Sequence, residues 1–140
     1  MENLRGSLLT CQQQGTMGIK KNILVVDDEE GIRITFEFFL SNEGYDVSTA
    51  ESYDECLVLL MEKEFDVIVA DIFLGEKTGF DLISELRARN VNCPVLIITG
   101  DPTAEGYTTA NTLGAIDYIP KPVLKDTLLN AVSEALNRCG

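Results

Sequence analysis

A chain of 140 residues, 45% hydrophobic and 24% charged, has the length and apolar content of one globular domain with a single core. Its 23 Asp and Glu against 11 Lys and Arg give a formal net charge of −12, which argues against binding a nucleic-acid backbone and favours basic partners or cations. The absence of histidine excludes Ser-His nucleophilic sites, histidine-based zinc sites and a phosphohistidine on this chain.

Cys11, Cys56, Cys93 and Cys139 form no CxxC pair, so reduced thiols of a cytoplasmic protein are expected rather than a disulfide framework. No apolar run approaches the ~18 residues of a membrane span. The first residues lack the apolar core of a signal peptide, and no membrane partner is expected. Residues 1–19 carry Gln12-Gln13-Gln14, three glycines and no sustained period. They read as a flexible leader, or as extra sequence before an internal start at Met17.

The first predicted strand is Asn22–Val26, an apolar run ending in Asp27-Asp28-Glu29-Glu30. A helix should follow, with Ile32, Phe36, Phe39 and Leu40 on its buried stripe. Acids at its start suit the helix dipole, so capping is the plain explanation for Asp27 and Asp28. A cap needs one side chain, however, and adjacent carboxylates repel unless a cation lies nearby. Ile34 and Phe38 fall off the stripe, forming either an exposed apolar patch or a face covered by the leader. Asn42-Glu43-Gly44 ends the helix. Tyr45–Ala50 alternates and reads as an edge strand. Ser52-Tyr53-Asp54-Glu55 is a capping-box pattern opening a helix with Tyr53, Cys56, Leu57 and Leu60 inward.

Val67–Ala70 is a continuous, β-branched apolar run, as expected of a strand buried on both faces of a parallel sheet. Asp71 stands at its end. Ile72 to Thr78 reads as a loop, and Thr78-Gly79-Phe80-Asp81 as the cap of a helix burying Leu82, Ile83 and Leu86. Val95–Ile98 is a fourth strand, ending in Thr99-Gly100-Asp101-Pro102. A weakly specified, threonine-rich helix near Ala104–Leu113 ends at Gly114. Ala115–Ile119 is a short last strand leading to Pro120-Lys121-Pro122. The final helix places Leu124, Leu128, Ala131, Val132 and Ala135 on one face. This regular βα alternation predicts an α/β fold, a doubly wound five-stranded parallel sheet in the order 2-1-3-4-5.

In that order the strand ends share one rim. Asp27, Asp28 and Asp71 would meet Thr99 and Lys121 in a shallow pocket. Clustered carboxylates call for a hard divalent cation, Mg2+ with Mn2+ as the alternative. A cation there would bring a phosphoryl donor to Asp71, whose carboxylate could attack phosphorus to form an acyl phosphate. Lys121 would offset charge on the phosphoryl oxygens, and Thr99 would gain a hydrogen bond only after transfer, which is a switch.

From about Lys20 to Cys139 the chain resembles the receiver domain of bacterial two-component response regulators, a flavodoxin-like fold. The resemblance is carried by Val25-Val26-Asp27-Asp28-Glu29, Asp71, Thr99-Gly100 and Gly114-Ala115-Ile116-Asp117-Tyr118-Ile119-Pro120-Lys121-Pro122. It divides the chain into a leader over 1–19 and a receiver domain over 20–140. It implies that Asp71 is the phosphoacceptor and Asp28 a direct Mg2+ ligand. Asp27 would hold the ion mainly through water, and the Phe73 backbone carbonyl would be the third protein ligand. Thr99 matches the switch hydroxyl, Tyr118 the aromatic switch that moves inward with it, and Lys121 the phosphate-binding lysine. The Lys121-Pro122 peptide is expected to be cis.

Implied partners are a histidine kinase or histidine phosphotransferase, an unidentified output partner and a phosphorylation-dependent homodimer. The surface of the fourth helix, fifth strand and fifth helix is expected to be the output face, with no direct nucleic-acid binding. Phe73, two residues past Asp71, is bulky and apolar where water reaches the phosphoryl group, and slower loss of phosphate is expected from it. Asp101 would either repel the phosphoryl group or order a water. The chain is read as a phosphoacceptor rather than an enzyme acting on outside substrates. A Mg2+-dependent aspartate-nucleophile phosphatase is disfavoured because it needs a second acid where Phe73 stands. A fragment of a larger transcription factor or hybrid histidine kinase is the alternative to a stand-alone regulator.

Overall fold

The computed structural model describes residues 20–139. The leader expected over 1–19, the Cys11 thiol and the Cys139 side chain lie outside the described residues. Five parallel strands form the central sheet: β1 (Asn22–Val26), β2 (Asp46–Ala50), β3 (Val67–Asp71), β6 (Val95–Thr99) and β7 (Asp117–Pro120). Their order is β2-β1-β3-β6-β7, the 2-1-3-4-5 order of the principal strands predicted from the βα alternation. A separate antiparallel pair, β4 (Phe73–Leu74) and β5 (Lys77–Thr78), occupies the stretch expected to be a loop. Gly75, at φ +76°, supplies the left-handed residue of its tight turn, and buried Leu74 anchors it.

The strands sort their side chains by simple alternation. Ile23, Val25, Val67, Val69, Leu96 and Ile98 meet α1 (Glu30–Asn42) and α5 (Lys125–Cys139) on one face. Leu24, Val26, Ile68, Ala70, Val95 and Ile97 meet α2 (Tyr53–Glu62), α3 (Gly79–Ala88) and α4 (Ala104–Leu113) on the other. Both faces of the inner strands are therefore dry, which explains their unbroken apolar sequences. In α3, Leu82, Ile83 and Leu86 are fully buried, each worth about 1.5–3 kcal/mol relative to exposure. No described helix is long and apolar enough to cross a membrane.

Several ends differ from the sequence reading. The N-cap of α1 is Glu29, with no side-chain capping bond, so Asp27 and Asp28 do not cap it. Asp27 Oδ1 instead accepts the Glu29 N–H at 2.8 Å, just outside the helix. Ser52 caps α2 as expected, but the Glu55 carboxylate accepts the Glu51 N–H rather than closing the box on Ser52. Thr78 and Asp81 close a complete box on α3. The last strand begins at Asp117, because the Ala115 N–H still closes on Ala110 at the end of α4. Leu124 precedes α5 and is 69% exposed, not on its buried face. Ile34 and Phe38 are exposed, at 59% and 63%.

Gly79 couples α3 to the end of β3. A Cβ there would lie 2.8 Å from Ile97 Cδ1 and 3.0 Å from the Asp71 carbonyl oxygen. Gly79→Ala is therefore predicted to lower the unfolding free energy by about 1–3 kcal/mol, seen in urea denaturation as a lower midpoint with an unchanged m-value.

Candidate functional site

The parallel register brings the polar residues to one rim. Val26 pairs with Ala70, Asp71 with Ile98 and Thr99 with Pro120, so Asp27, Asp71, Thr99 and Lys121 each stand at their strand's last position or the next one. Backbone bonds continue the ladders past the strands: Asp27 N–H to Ala50 O, Ile72 N–H to Ile98 O and Lys121 N–H to Thr99 O. The rim is thus as rigid as the sheet that carries it.

The Lys121 ammonium lies 2.9 Å from Glu29, 3.2 Å from Asp71 Oδ2 and 3.3 Å from Asp27 Oδ2. The other Asp71 oxygen, Oδ1, accepts the Phe73 N–H at 3.3 Å. Both oxygens of Asp71 are therefore held, and the carboxylate plane is fixed. Asp27, Asp28, Glu29 and Asp71 each offer an oxygen, and these oxygens lie within 4.8 Å of one another. Asp27 and Asp71 are buried; Asp28 and Glu29 are exposed. One ammonium cannot balance this many carboxylates, and a set of oxygen donors only, open on one side, fits a hard cation such as Mg2+ or Mn2+.

The electrostatics follow from burial and charge. Burial pushes the Asp27 carboxyl above the ordinary aspartate range; the Glu29 N–H opposes this, the Asp71 charge adds to it and Lys121 opposes it. Burial alone would lower the Lys121 pKa, but the bond from Glu29 and the charges of Asp27 and Asp71 outweigh it. The ammonium is held well above the usual lysine range. Lys121 therefore stays charged at every physiological pH.

Thr99 is fully buried, and its Oγ1 accepts the Asp101 N–H at 3.0 Å, so Asp101 acts here through its backbone while its side chain is exposed. Tyr118 lies away from the carboxylates, on the α4 side of the sheet. Its ring is buried and stands 4.4 Å from that of Tyr107. The Lys121-Pro122 peptide is cis. Phe73 is 57% exposed beside the pocket.

Three participants were missed in the sequence. Glu29 makes the shortest contact to Lys121, although the four-acid run already required a cation. Arg33 donates from Nη1 to the Asp27 carbonyl at 2.7 Å and pairs with Glu51 at 3.7 Å, tying the acidic loop to the end of β2. Nothing in its spacing announced this. Gly79 stands in the sequence only as part of a cap, and its close approach to the Asp71 carbonyl is visible only in the fold.

The family model for the response regulator receiver domain matches residues 23–133. The chain belongs to the response regulator receiver domain family. It is 35% identical over 127 residues to the alginate biosynthesis transcriptional regulatory protein AlgB of Pseudomonas aeruginosa, covering 91% of this chain and 27% of AlgB. The chain thus spans about a quarter of that relative's length. A response regulator receiver domain protein from Clostridium thermocellum is similar at 32% identity and TM-score 0.79, covering 85% of this chain and 96% of that one. A CheY-like receiver domain protein from Methanospirillum hungatei is similar at 29% identity and TM-score 0.81, covering 86% and 96%.

In this receiver domain the raised Asp27 pKa has a signed consequence. The folded state holds that proton more tightly than the unfolded chain, so ionised Asp27 opposes folding above its folded pKa. The penalty is relieved as pH falls through that pKa toward the ordinary aspartate value. Without divalent cations, Asp27→Asn should raise the unfolding free energy at pH 7. The gain should shrink as pH is lowered through the Asp27 pKa. Urea melts across that range check it; lower stability at pH 7 would show that attraction to Lys121 outweighs burial.

Proposed function

We propose that this receiver domain accepts a phosphoryl group on Asp71 from the phosphohistidine of a histidine kinase or histidine phosphotransferase, and that the modification switches the α4-β7-α5 face for an output partner or a second copy. One observation carries the reading: the Asp71 carboxylate, fixed on both oxygens, shares the Lys121 ammonium with Asp27 at the strand-end rim.

Asp71 is the nucleophile. Its oxygen attacks phosphorus, the P–N bond to the donor imidazole breaks, and the electron pair goes to the imidazole nitrogen. Asp27, Asp28, Asp71 and the Phe73 carbonyl would hold Mg2+, with Mn2+ as a substitute, and the ion supplies charge neutralisation on the phosphoryl oxygens. Lys121 is positively charged and within reach of the same oxygens, so it turns from its carboxylates to the new phosphoryl group. Buried Thr99 keeps its own O–H proton to donate, since the bond it now makes is as acceptor. Once Asp71 carries the phosphoryl group, that donor has a new acceptor, and the Tyr118 ring on the adjacent strand, already buried here, is held inward.

The output face is supported by a groove of about 330 Å³ lined by Tyr107, Ala110, Asn111, Ala115, Ile116 and Tyr118. It lies at the threonine-rich helix α4, where low intrinsic helix stability suits movement. The domain works on itself, not on outside substrates: Phe73 stands where a phosphatase of this chemistry needs a second acid. The buried Cys56 thiol, pushed up to about 12 by burial, is inert packing and fits a cytoplasmic protein.

Incubation with acetyl phosphate and Mg2+, followed by intact mass, tests the reading. The wild type should gain a single phosphate that does not form in the presence of EDTA or in Asp71→Asn. Adduct on Asp71→Asn, or neither a phosphate adduct from acetyl phosphate nor binding of beryllofluoride to the folded wild type, would overturn it. In the same assay Phe73→Asn should shorten the phosphate lifetime; a longer one would show that Phe73 does not shield the phosphoryl group.

A further inference from the structure

Gly106 lies in the first turn of α4 and is buried. Glycine inside a helix is less stable than alanine, so the position needs a reason. The backbone supplies none, because Gly106 is not among the glycines with positive φ. The capping bond supplies none either: Thr103 Oγ1 accepts the Gly106 N–H at 2.8 Å, and any residue but proline offers that N–H.

The reason is the ring of Tyr118. A Cβ on Gly106 would overlap the Tyr118 hydroxyl and lie 2.7 Å from its Cζ. Tyr107, next in the helix, flanks the same ring with centroids 4.4 Å apart and planes tilted by 56°. Tyr118 cannot slide away along its strand, because β7 fixes its backbone opposite Ile97. The inward ring therefore has a seat with Gly106 as its floor and Tyr107 as its wall.

We propose that Gly106 is the positioning residue that admits Tyr118 to this inward seat. The side chain at position 106 then sets the balance between inward and outward Tyr118, and with it the shape of the α4-β7 face. The functional consequence rests on the phosphoacceptor reading above; the seat itself does not. A methyl group at 106 leaves Asp71, Lys121 and the acidic rim untouched, yet expels the ring from its seat.

The test is tyrosine nitration by tetranitromethane, mapped by peptide mass, with half-exposed Tyr107 as the internal reference. In the wild type Tyr118 should react roughly tenfold or more slowly than Tyr107. In Gly106→Ala the two rates should converge. Thermal melts give a second readout. Gly106→Ala should lower Tm in the wild-type background and raise it in Tyr118→Ala, where the ring is gone and only helix propensity remains. A protected Tyr118 in Gly106→Ala, or a Tm raised in both backgrounds, would overturn the proposal. Should the variant unfold, the Tyr118→Ala pair still decides it: a rise there supports the seat, and a fall sinks it. A phosphate adduct on the wild type, measured separately, tells failure of the phosphoacceptor reading apart from failure of the seat.

Discussion

The Lys121 ammonium, shared by Asp27, Glu29 and Asp71, is the interaction on which the site depends. Without it, Asp27 and Asp71 would be buried like charges at the edge of the sheet, a costly arrangement. With it, the pocket still holds more carboxylates than one ammonium balances, and on the proposed reading a hard cation would offset that surplus before a phosphoryl group approaches. Under the proposed function the same ammonium would leave its carboxylates for a phosphoryl oxygen, and Glu29, exposed at the mouth, keeps it near the surface. Stability and reactivity thus draw on one contact.

The sheet was legible because its signal is simple. Val67–Ala70 and Val95–Ile98 are unbroken apolar runs of the kind a doubly covered strand shows, and these two and three further strand patterns alternate with helical stripes. The strand order implied by the alternation puts Asp27, Asp71, Thr99 and Lys121 on one rim, where the structure also has them. What was misread depends on contacts rather than patterns. Leu124 fits the heptad-like spacing of α5, but the helix starts one residue later. The short β4-β5 pair is too brief for periodicity to reveal. Asp27 lies where a cap belongs, yet the cap position falls to Glu29, which frees Asp27 to face Lys121.

The site residues divided the same way. Asp71 and Lys121 were found from topology and charge together. The shared role of Glu29 was not, because a run of acids does not say which of them reaches across the rim. Arg33 and Gly79 act on backbone atoms of Asp27 and Asp71, and backbone partners leave no trace in residue type. Gly106 is a similar case: its meaning is the ring of Tyr118, which only the fold brings above it.

The most direct test of the central electrostatic claim is a Mg2+ titration of wild type and Lys121→Met by calorimetry, with foldedness checked by thermal melts. If the ammonium is the resident counterion of a surplus of carboxylates, removing it should tighten Mg2+ binding several-fold. Unchanged or weaker binding in folded Lys121→Met would contradict the account, because it would mean that Lys121 and the cation do not compete for the same negative charge.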